Sequence, residues 1–383
     1  MSVSFITYAD FGKYNNLKTK DISSTILLFK KRGLISRVVC RLGKVEGINS
    51  KNALPFILHI LVAGIGKFTR FLPVRKIEEN FFDFFASKME IPKGIIFFHP
   101  AKFLKTIKKA RREGSICVGI AVNSSIESTD KLLEEELKKQ NVKFFNKSKL
   151  LENDFANQMD YLITLSPFSK NTYVEYGFPE DKIYVANLDV DISVFYPKEK
   201  IDDIFTVIIT TSSIGILKGL QYLIDAWQDF NIPNKKLIIL GQRYLWPQKM
   251  EDKYKKIILQ DKTIIELGMV NNVVSYIQNS DVSILPSFTE GFSRSVVESM
   301  ACGIPVITTR NSTDVENFFE DNKHGLIVPI GDSKAITDAL FFMYNNKEKR
   351  IEMGENARKA VVNKKLFSEE IFDIYQKIIK ENI

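Results

Sequence analysis

Two carboxylates, Glu290 and Glu298, are separated by seven residues and follow an apolar run at 282–286. The order of apolar run, short loop, helix-like stretch and Gly303 predicts a strand, a loop and a helix that ends at the glycine. One carboxylate would then stand at the mouth of the loop and the other on the helix. This arrangement suits an anionic ligand at the helix N-terminus, with a sugar on one side and a ribose on the other. The alternative is two surface glutamates.

The spacing of this pair argues against a glycosidase. Eight helical residues span about 12 Å at a rise of about 1.5 Å per residue. The paired carboxyl groups of glycosidases lie about 5–5.5 Å apart in retaining enzymes and about 6.5–9.5 Å apart in inverting ones. We therefore predict that Glu290 and Glu298 contact two parts of one long ligand.

A lysine near a second helix start would supply the opposite charge. Lys218 lies between Gly215 and Gly219, where an apolar run at 205–211 gives way to a helix-like stretch. Exposed amides at a helix N-terminus together with a lysine can bind phosphate, although many such lysines are simply solvated. Ser293 or Ser295 is the expected N-cap of the other helix. A diphosphate could lie between the two helix starts.

Alternating strand and helix patterns must position these residues. They predict an α/β protein with two lobes of parallel sheet flanked by helices, 1–197 and 198–383, joined near Pro197, with the ligand cleft between them. The last helix is expected to pack back on the first lobe. The predicted strands are 3–8, 36–41, 94–98, 116–122, 161–165, 183–185, 205–211, 237–240, 264–267, 282–285, 306–308 and 326–328. The predicted helices cover 24–32, 101–112 and 131–140 and begin near 219, 273, 294 and 333.

Charge is unevenly distributed along the chain. Residues 1–112 contain 22 Lys and Arg against 7 Asp and Glu, whereas the whole chain has a net charge of +8. A basic first third favours an anionic partner, or it is a solvated basic face. Nucleic acid is not expected, because the sequence has no helix-turn-helix, zinc-ligand or RNP-like pattern. The three cysteines are far apart, and no signal peptide is apparent, which indicates reduced thiols in a cytoplasmic protein.

An uncharged segment at 53–66 makes a membrane surface the favoured anionic partner. As a helix it would span about 21 Å, less than the roughly 30 Å of a bilayer core. Basic residues and phenylalanines follow it, a combination typical of a segment that lies in the membrane interface. A buried helix of the first lobe is the alternative. The basic residues are Lys67, Arg70, Arg75 and Lys76, and the phenylalanines are Phe81, Phe82, Phe84 and Phe85.

The motifs of the second lobe resemble those of the retaining glycosyltransferases of family GT4, which have the GT-B fold. The resemblance covers about 160–383, and the first 150 residues match only in pattern. The Glu-x7-Glu element with Gly-Phe after its first glutamate is the family's hallmark. Further matches are 177–183 (Gly-Phe-Pro-Glu-Asp-Lys-Ile), 195–197 (Phe-Tyr-Pro), 267–270 (Leu-Gly-Met-Val), 281–287 (Asp-Val-Ser-Ile-Leu-Pro-Ser), 301–306 (Ala-Cys-Gly-Ile-Pro-Val) and 325–329 (Gly-Leu-Ile-Val-Pro).

The resemblance implies a role for each matching residue. Glu298 would accept hydrogen bonds from the ribose, Glu290 would contact the transferred sugar, and Lys218 would bind the donor diphosphate. Val270 falls where the backbone meets the nucleobase. The resemblance implies transfer with retention and without a metal or other cofactor. Backbone near the sugar and phosphates would come from Gly291, Phe292 and Ser293.

Some positions depart from the family pattern. Ser213 stands where relatives have an arginine on the diphosphate. Arg294 or Arg243 could replace it, and Arg294 is favoured because it lies at the start of the second helix. Asn123 stands where many relatives have a histidine on the sugar; His99, at another strand end, could contribute instead or be structural. Gly12 could allow close approach of the acceptor or phosphate. The Asp-x-Asp of 189–191 is not expected to bind a metal, since it falls in the segment before the linker.

The function expected from this reading is transfer of a sugar from a UDP- or GDP-sugar to a glycan or lipid-linked acceptor in surface polysaccharide or glycolipid synthesis. The enzyme would be cytoplasmic, on the inner face of the membrane. Ser213 and Asn123 also allow an inactive partner subunit of a glycosyltransferase complex. A nucleotide-sugar epimerase is a third alternative. Sugar, base, acceptor and linkage are left open by the sequence.

Overall fold

The computed structural model describes residues 2–9, 20–41, 43, 45, 47–53, 74–99, 103–142, 156–244 and 246–383. Two parallel sheets form its centre, so the predicted fold class is confirmed. The first sheet has seven strands in the order β3-β2-β1-β4-β5-β6-β7, and the second has six in the order β10-β9-β8-β11-β12-β13. In each sheet the order reverses beside the first strand of that lobe, next to β1 and next to β8.

The first lobe alternates strands and helices along the chain. Its central strands are buried along nearly their whole length, as expected for strands covered on both faces. The strands are β1 (Val3–Thr7), β2 (Ile35–Cys40), β3 (Ser50–Asn52), β4 (Ile95–His99), β5 (Ile116–Ala121), β6 (Tyr161–Thr164) and β7 (Ile183–Val185). The helices are α1 (Lys20–Lys31), α2 (Val74–Lys88), α3 (Leu104–Arg112), α4 (Ile126–Lys139) and α5 (Pro167–Glu175). One face of the sheet packs with α1, and the other packs with α2 and α3.

The second lobe repeats this plan. Its strands are β8 (Phe205–Ile214), β9 (Lys235–Arg243), β10 (Ile264–Gly268), β11 (Val282–Leu285), β12 (Val306–Thr308) and β13 (Gly325–Ile327). Its helices are α6 (Leu220–Asp229), α7 (Gln248–Gln260), α8 (Val273–Gln278), α9 (Arg294–Ala301), α10 (Ser333–Asn345), α11 (Lys347–Val362) and α12 (Phe367–Glu381).

The last helix, α12, packs on α1 of the first lobe. Phe372 and Tyr375 lie edge-on against Phe29, with ring centroids 5.4 and 5.2 Å apart. Beside this helix the two chain crossings between the lobes are bonded to each other, because Asp189 accepts a hydrogen bond of 2.8 Å from the backbone of Phe367. Asp189 therefore orders the start of α12.

Helix α2 corrects part of the membrane prediction. Phe82 is fully buried and packs on Phe103 with ring centroids 4.7 Å apart, so it is not available as an anchor. Phe81 and Phe84 are exposed by 38% and 42%. The segment 54–73 lies outside the described residues. Among the helices that the structure describes, none is both long and apolar enough to cross a bilayer.

Candidate functional site

A cavity of about 420 Å³ opens at the carboxyl edge of the second sheet. It lies where the strand order reverses between β8 and β11, the usual ligand position in open α/β sheets. The ends of four strands line it, with residues 210–212 from β8, 240–241 from β9, Gly268 from β10 and Leu285 from β11. The cavity therefore has a wall of strand ends, and the loops beyond them supply its charged groups.

The structure brings most of the predicted donor-site residues into this cavity. Gly291 and Ser213 are adjacent to lining residues but do not line the cavity themselves. Ser213 is part of β8, paired with Gln242 of β9, so the expected loop at this position is a strand. The predicted residues that line the cavity are Lys218, Val270, Glu290, Phe292, Ser293, Arg294 and Glu298.

Lys218 ends a short 3-10 turn, Ile216–Lys218, immediately before α6. Its ammonium group forms an ion pair with Glu290 across the cavity. The turn is tight because Gly219 has a left-handed φ of 74°, and a Cβ there would lie 2.1 Å from the carbonyl oxygen of Pro286. Only glycine fits this close approach without strain. Gly219 thus fixes the point at which Lys218 enters the cavity.

The loop that carries Glu290 is held from two sides. Within its own lobe, the amide of Glu290 donates to the carbonyl of Asn311 at 3.0 Å. From the first lobe, the hydroxyl of Ser124 donates to the carbonyl of Glu290 at 2.9 Å. A Cβ on Gly291 would lie 2.1 Å from the carbonyl oxygen of Val122, so the two lobes are in backbone contact here. Asn123, the predicted sugar-side residue, is part of this contact.

Helix α9 presents its N-terminus to the cavity. Ser293 occupies the N-cap position, as predicted, but its hydroxyl makes no capping hydrogen bond. The Ser293 hydroxyl lies 3.1 Å from that of Ser295, and across the described residues no side chain caps the first turn of α9. The amides and partial positive charge at this helix end can therefore serve an anionic ligand.

Glu298 lies one turn along α9 and is partly buried. Burial raises the pKa of its carboxyl to about 7, and the positive charge of Arg294 opposes that increase. Burial lowers the pKa of Arg294, which Glu298 counteracts. The Arg294 guanidinium also pairs with Asp21 of α1, in the first lobe. The charge of Arg294 therefore acts on Glu298, while its ion pair joins α9 to the opposite lobe.

The other first-lobe residues fall in different places. His99 ends β4 at the reversal point of the first sheet and does not line the cavity of the second lobe. Burial lowers the pKa of His99 to about 4. Gly12 lies outside the described residues. The carbonyl of Asn123 accepts hydrogen bonds from the hydroxyls of Ser169 at 3.1 Å and Tyr173 at 3.3 Å.

Sequence reasoning missed Asp21 and Ser124, whose partners lie in the other lobe. Neither has a local motif, although Ser124 directly follows the predicted Asn123. Arg243, the alternative to Arg294, does not line the cavity and forms ion pairs with Glu251 at 3.1 Å and Glu266 at 2.7 Å. Within the described ranges, no group of three or more His, Cys, Asp or Glu could hold a metal.

Comparison with known proteins gives a family match over the second lobe. The model of the family "Glycosyl transferases group 1" matches residues 193–360. A capsular polysaccharide biosynthesis glycosyltransferase, CapM of Staphylococcus aureus, is 31% identical over 170 residues, which cover 43% of this chain and 44% of CapM. The N-acetyl-alpha-D-glucosaminyl L-malate synthase of Bacillus anthracis is 24% identical over 55% of this chain and 54% of its own length. The chain thus spans about half the length of these curated relatives.

Solved structures match over the whole chain. Anabaena HepE in complex with UDP has a TM-score of 0.64 and 16% identity, covering 99% of this chain and all of that one. The sucrose-phosphate synthase of Thermosynechococcus elongatus has a TM-score of 0.69 and 14% identity, with full coverage of both chains. At these identities the likeness concerns the fold, and it includes both lobes.

Proposed function

Because the chain belongs to the group 1 glycosyl transferases, family GT4, we propose that it transfers a sugar from a UDP- or GDP-sugar to a glycan or lipid-linked acceptor. The reaction would retain the anomeric configuration and need no metal. The observation that carries the proposal is that Lys218, Glu290 and Glu298 line one cavity at the reversal point of the second sheet. The names of CapM and of the UDP-bound HepE support a UDP-sugar and a surface polysaccharide.

In the proposed complex, the parts of such a donor would follow one another along the cavity. The base would lie against the backbone near Val270 and the ribose hydroxyls against Glu298. The diphosphate would lie over the N-terminus of α9 beside Lys218, and the sugar would reach Glu290. Positive charge at this point stabilises the diphosphate as it departs. Gly291, Phe292 and Ser293 would supply backbone along the sugar and phosphates.

Two ion pairs must rearrange when the donor binds. Lys218 pairs with Glu290, and Arg294 pairs with Asp21. We propose that phosphate oxygens of the donor replace Glu290 and Asp21 as the partners of Lys218 and Arg294. Arg294 would thereby substitute for the arginine that relatives have at the position of Ser213. Glu290 would then be free to accept a hydrogen bond from the sugar.

Titration calorimetry with UDP, GDP, ADP and their sugars tests the donor site. We expect nucleotides of one base to bind. We expect Lys218→Ala and Glu298→Ala to weaken binding of the nucleotide sugar and to abolish sugar transfer. Lys256→Ala, on the exposed face of α7, is the matched control and should behave as wild type. Full activity in both cavity variants would overturn the site assignment. A wild-type chain that binds no nucleotide sugar would favour the inactive partner subunit.

We assign the acceptor side to the first lobe, 1–197, and the donor side to the second, 198–383. The acceptor would approach at the contact between Asn123 and Gly291, where the lobes meet beside the Glu290 loop. Gly12 and His99 stay candidates for this side. Initial-rate kinetics with defined acceptors test the assignment, since Asn123→Ala should change the KM of the acceptor and leave that of the donor unchanged.

A lipid-linked acceptor requires contact with a membrane, and the outer face of α2 and α3 supports one. Lysines and arginines line a groove of about 580 Å³ there, and the ammonium groups of Lys88 and Lys105 lie 5.7 and 5.3 Å from the ring centroid of the exposed Phe84. Cations beside exposed aromatic rings suit anionic lipid headgroups. We propose peripheral binding to the inner face of the cytoplasmic membrane. The basic residues are Lys88, Lys105, Lys108, Lys109, Arg111 and Arg112.

Flotation with vesicles that contain anionic lipid tests this surface. We expect wild type to float at low salt and the double charge reversal Lys105→Glu, Lys108→Glu to remain at the bottom. Reversal of Lys255 and Lys256, exposed on α7 of the second lobe, is the control with equal charge change. Wild type that fails to float on anionic vesicles contradicts membrane binding.

A further inference from the structure

Glu136 is a buried carboxylate at the contact between the lobes, on α4 of the first lobe. Its exposed fraction is 2%. One oxygen accepts hydrogen bonds from the side-chain amides of Gln140 at 2.8 Å and Gln221 at 3.0 Å. The other accepts from the hydroxyl of Tyr222 at 2.9 Å. Gln221 and Tyr222 belong to α6, so the first lobe holds the helix that follows Lys218.

All the groups that donate to Glu136 are neutral, and burial of a carboxylate without a cationic partner is unfavourable in free energy. A carboxylate removed from water without a cation loses much of its solvation, and an apolar side chain of similar volume would often be at least as stable. Burial and the neighbouring Glu136 both raise the pKa of Tyr222, so its hydroxyl stays protonated and continues to donate. The network is better explained by the position it fixes than by stability.

That position is the turn that carries Lys218. The same Gln221 amide that donates to Glu136 also donates to the carbonyl of Ile216 at 3.1 Å. Ile216 opens the 3-10 turn, and Lys218 ends it. Helix α4 packs directly against this turn. Only two hydrogen bonds therefore separate the buried carboxylate of the first lobe from the backbone of the donor-side turn.

A second contact ties Tyr222 to the loop that carries Glu290. The ring of Tyr222 lies against that of Phe288, with centroids 5.8 Å apart. The amide of Phe288 donates to the carbonyl of Leu217, inside the same turn, at 2.7 Å. Movement of Tyr222 would therefore disturb the turn through the Phe288 loop as well as through Gln221.

We propose that Glu136 is a positioning residue that holds Lys218 against the donor diphosphate when the lobes are closed. The inference rests on the proposed donor site and adds a residue from the opposite lobe to it. Glu136 does not touch the donor; it acts through Gln221, Tyr222 and the turn Ile216–Lys218. Its loss should therefore weaken contacts with the phosphates and leave contacts with the nucleoside unchanged.

The test compares a nucleoside diphosphate with its nucleoside on the full chain, using UDP and uridine or GDP and guanosine, whichever pair binds wild type. Glu136→Ala should raise the Kd of the diphosphate about tenfold, or about 1.4 kcal/mol. The Kd of the nucleoside should change less than about twofold, well below that difference. Glu135→Ala, on the exposed face of the same helix, is the matched control and should change neither.

If Glu136→Ala weakened binding of the diphosphate and of the nucleoside equally, the site would be disturbed as a whole and the inference would be overturned. An unchanged affinity for the diphosphate would also overturn it. Tyr222→Phe, which removes only one hydroxyl, serves if Glu136→Ala does not fold. It should still weaken binding of the diphosphate and leave binding of the nucleoside unchanged. Glu136→Gln keeps one acceptor oxygen and should recover part of the affinity. Wild type that binds neither UDP nor GDP would contradict the proposed function itself, before any variant is compared.

Discussion

Replacement of Glu298 by glutamine should change how stability depends on pH. Burial raises the pKa of Glu298 from 4.5 to about 7. The folded state therefore holds this proton more tightly than the unfolded chain does. Below the unfolded value both states are protonated, and the carboxyl has no unfavourable effect. As pH rises through the folded pKa, a charged carboxylate must be kept in the cavity, and stability falls.

The size of the effect follows from the shift. One pKa unit corresponds to about 1.4 kcal/mol. Between pH 5.5 and 7 the free energy of unfolding of wild type should therefore fall by about 2 kcal/mol, a loss that the variant with a neutral glutamine does not have. Water that enters the cavity makes this an upper value. The wild-type free energy of unfolding, compared with that of Glu298→Gln, should therefore decrease by up to about 2 kcal/mol across this range.

Urea unfolding of both proteins at several pH values measures this difference. Glu355→Gln, an exposed glutamate on α11, serves as the control for a change of charge. A constant difference between wild type and Glu298→Gln from pH 5.5 to 8 would refute the reasoning. If Glu298 contacts the ribose as proposed, ligand binding gives a second measure, because a carboxylate is a stronger acceptor for the ribose hydroxyls than a protonated carboxyl or an amide. The affinity for the nucleoside, which has no phosphate that titrates in this range, should rise with pH through about 7 and stay flat in the variant.

Three further substitutions test the contacts around the cavity. Asp21→Asn should release Arg294 and lower the Kd of the nucleoside diphosphate a few-fold, or roughly 0.5–1 kcal/mol; calorimetry that shows weaker binding would contradict this. Gly291→Ala should separate the lobes and lower kcat while the melting temperature stays near wild type; a normal kcat would count against backbone contact. Gly219→Ala should lower the melting temperature more than Gly177→Ala, because both have positive φ but a Cβ at Gly177 meets nothing within 4 Å; equal losses would contradict the steric argument.

The second-lobe part of the site could be predicted because it is local in sequence. Glu290 and Glu298 follow one strand, and Lys218 follows another whose end lies beside it in the sheet. Parallel strands bring their carboxyl ends to one edge, so strand prediction alone places these residues together. The family resemblance then indicated which of them face a donor.

The contacts between lobes could not be predicted in this way. Asp21, Ser124 and Glu136 meet partners whose position depends on how the two lobes close, and a sequence pattern gives no closure angle. Ser213 was expected in a loop because β8 continues past its apolar run as Thr-Ser-Ser. The edge strand β3 was missed because its residues, Ser-Lys-Asn, have no apolar pattern.

The phenylalanines of α2 show a further limit. At 3.6 residues per turn, Phe81, Phe82, Phe84 and Phe85 cannot all lie on one face. The helix turns Phe82 into the core and leaves Phe81 and Phe84 exposed. Helical phase would have separated them, but the helix itself was not assigned from the sequence.

The two chain crossings between the lobes have a mechanical consequence. One crossing precedes β8 and the other precedes α12, and they are joined side by side where Asp189 meets Phe367 and the Lys364 ammonium donates to the carbonyl of Asn187 at 2.9 Å. A single flexible connection would let one lobe rotate about any axis relative to the other. Two connections that are bonded to each other favour rotation of the lobes about the axis that passes through both connections. Any opening of the lobes should therefore follow this rotation, and closing by the same rotation would restore the hydrogen bond from Ser124 to the carbonyl of Glu290.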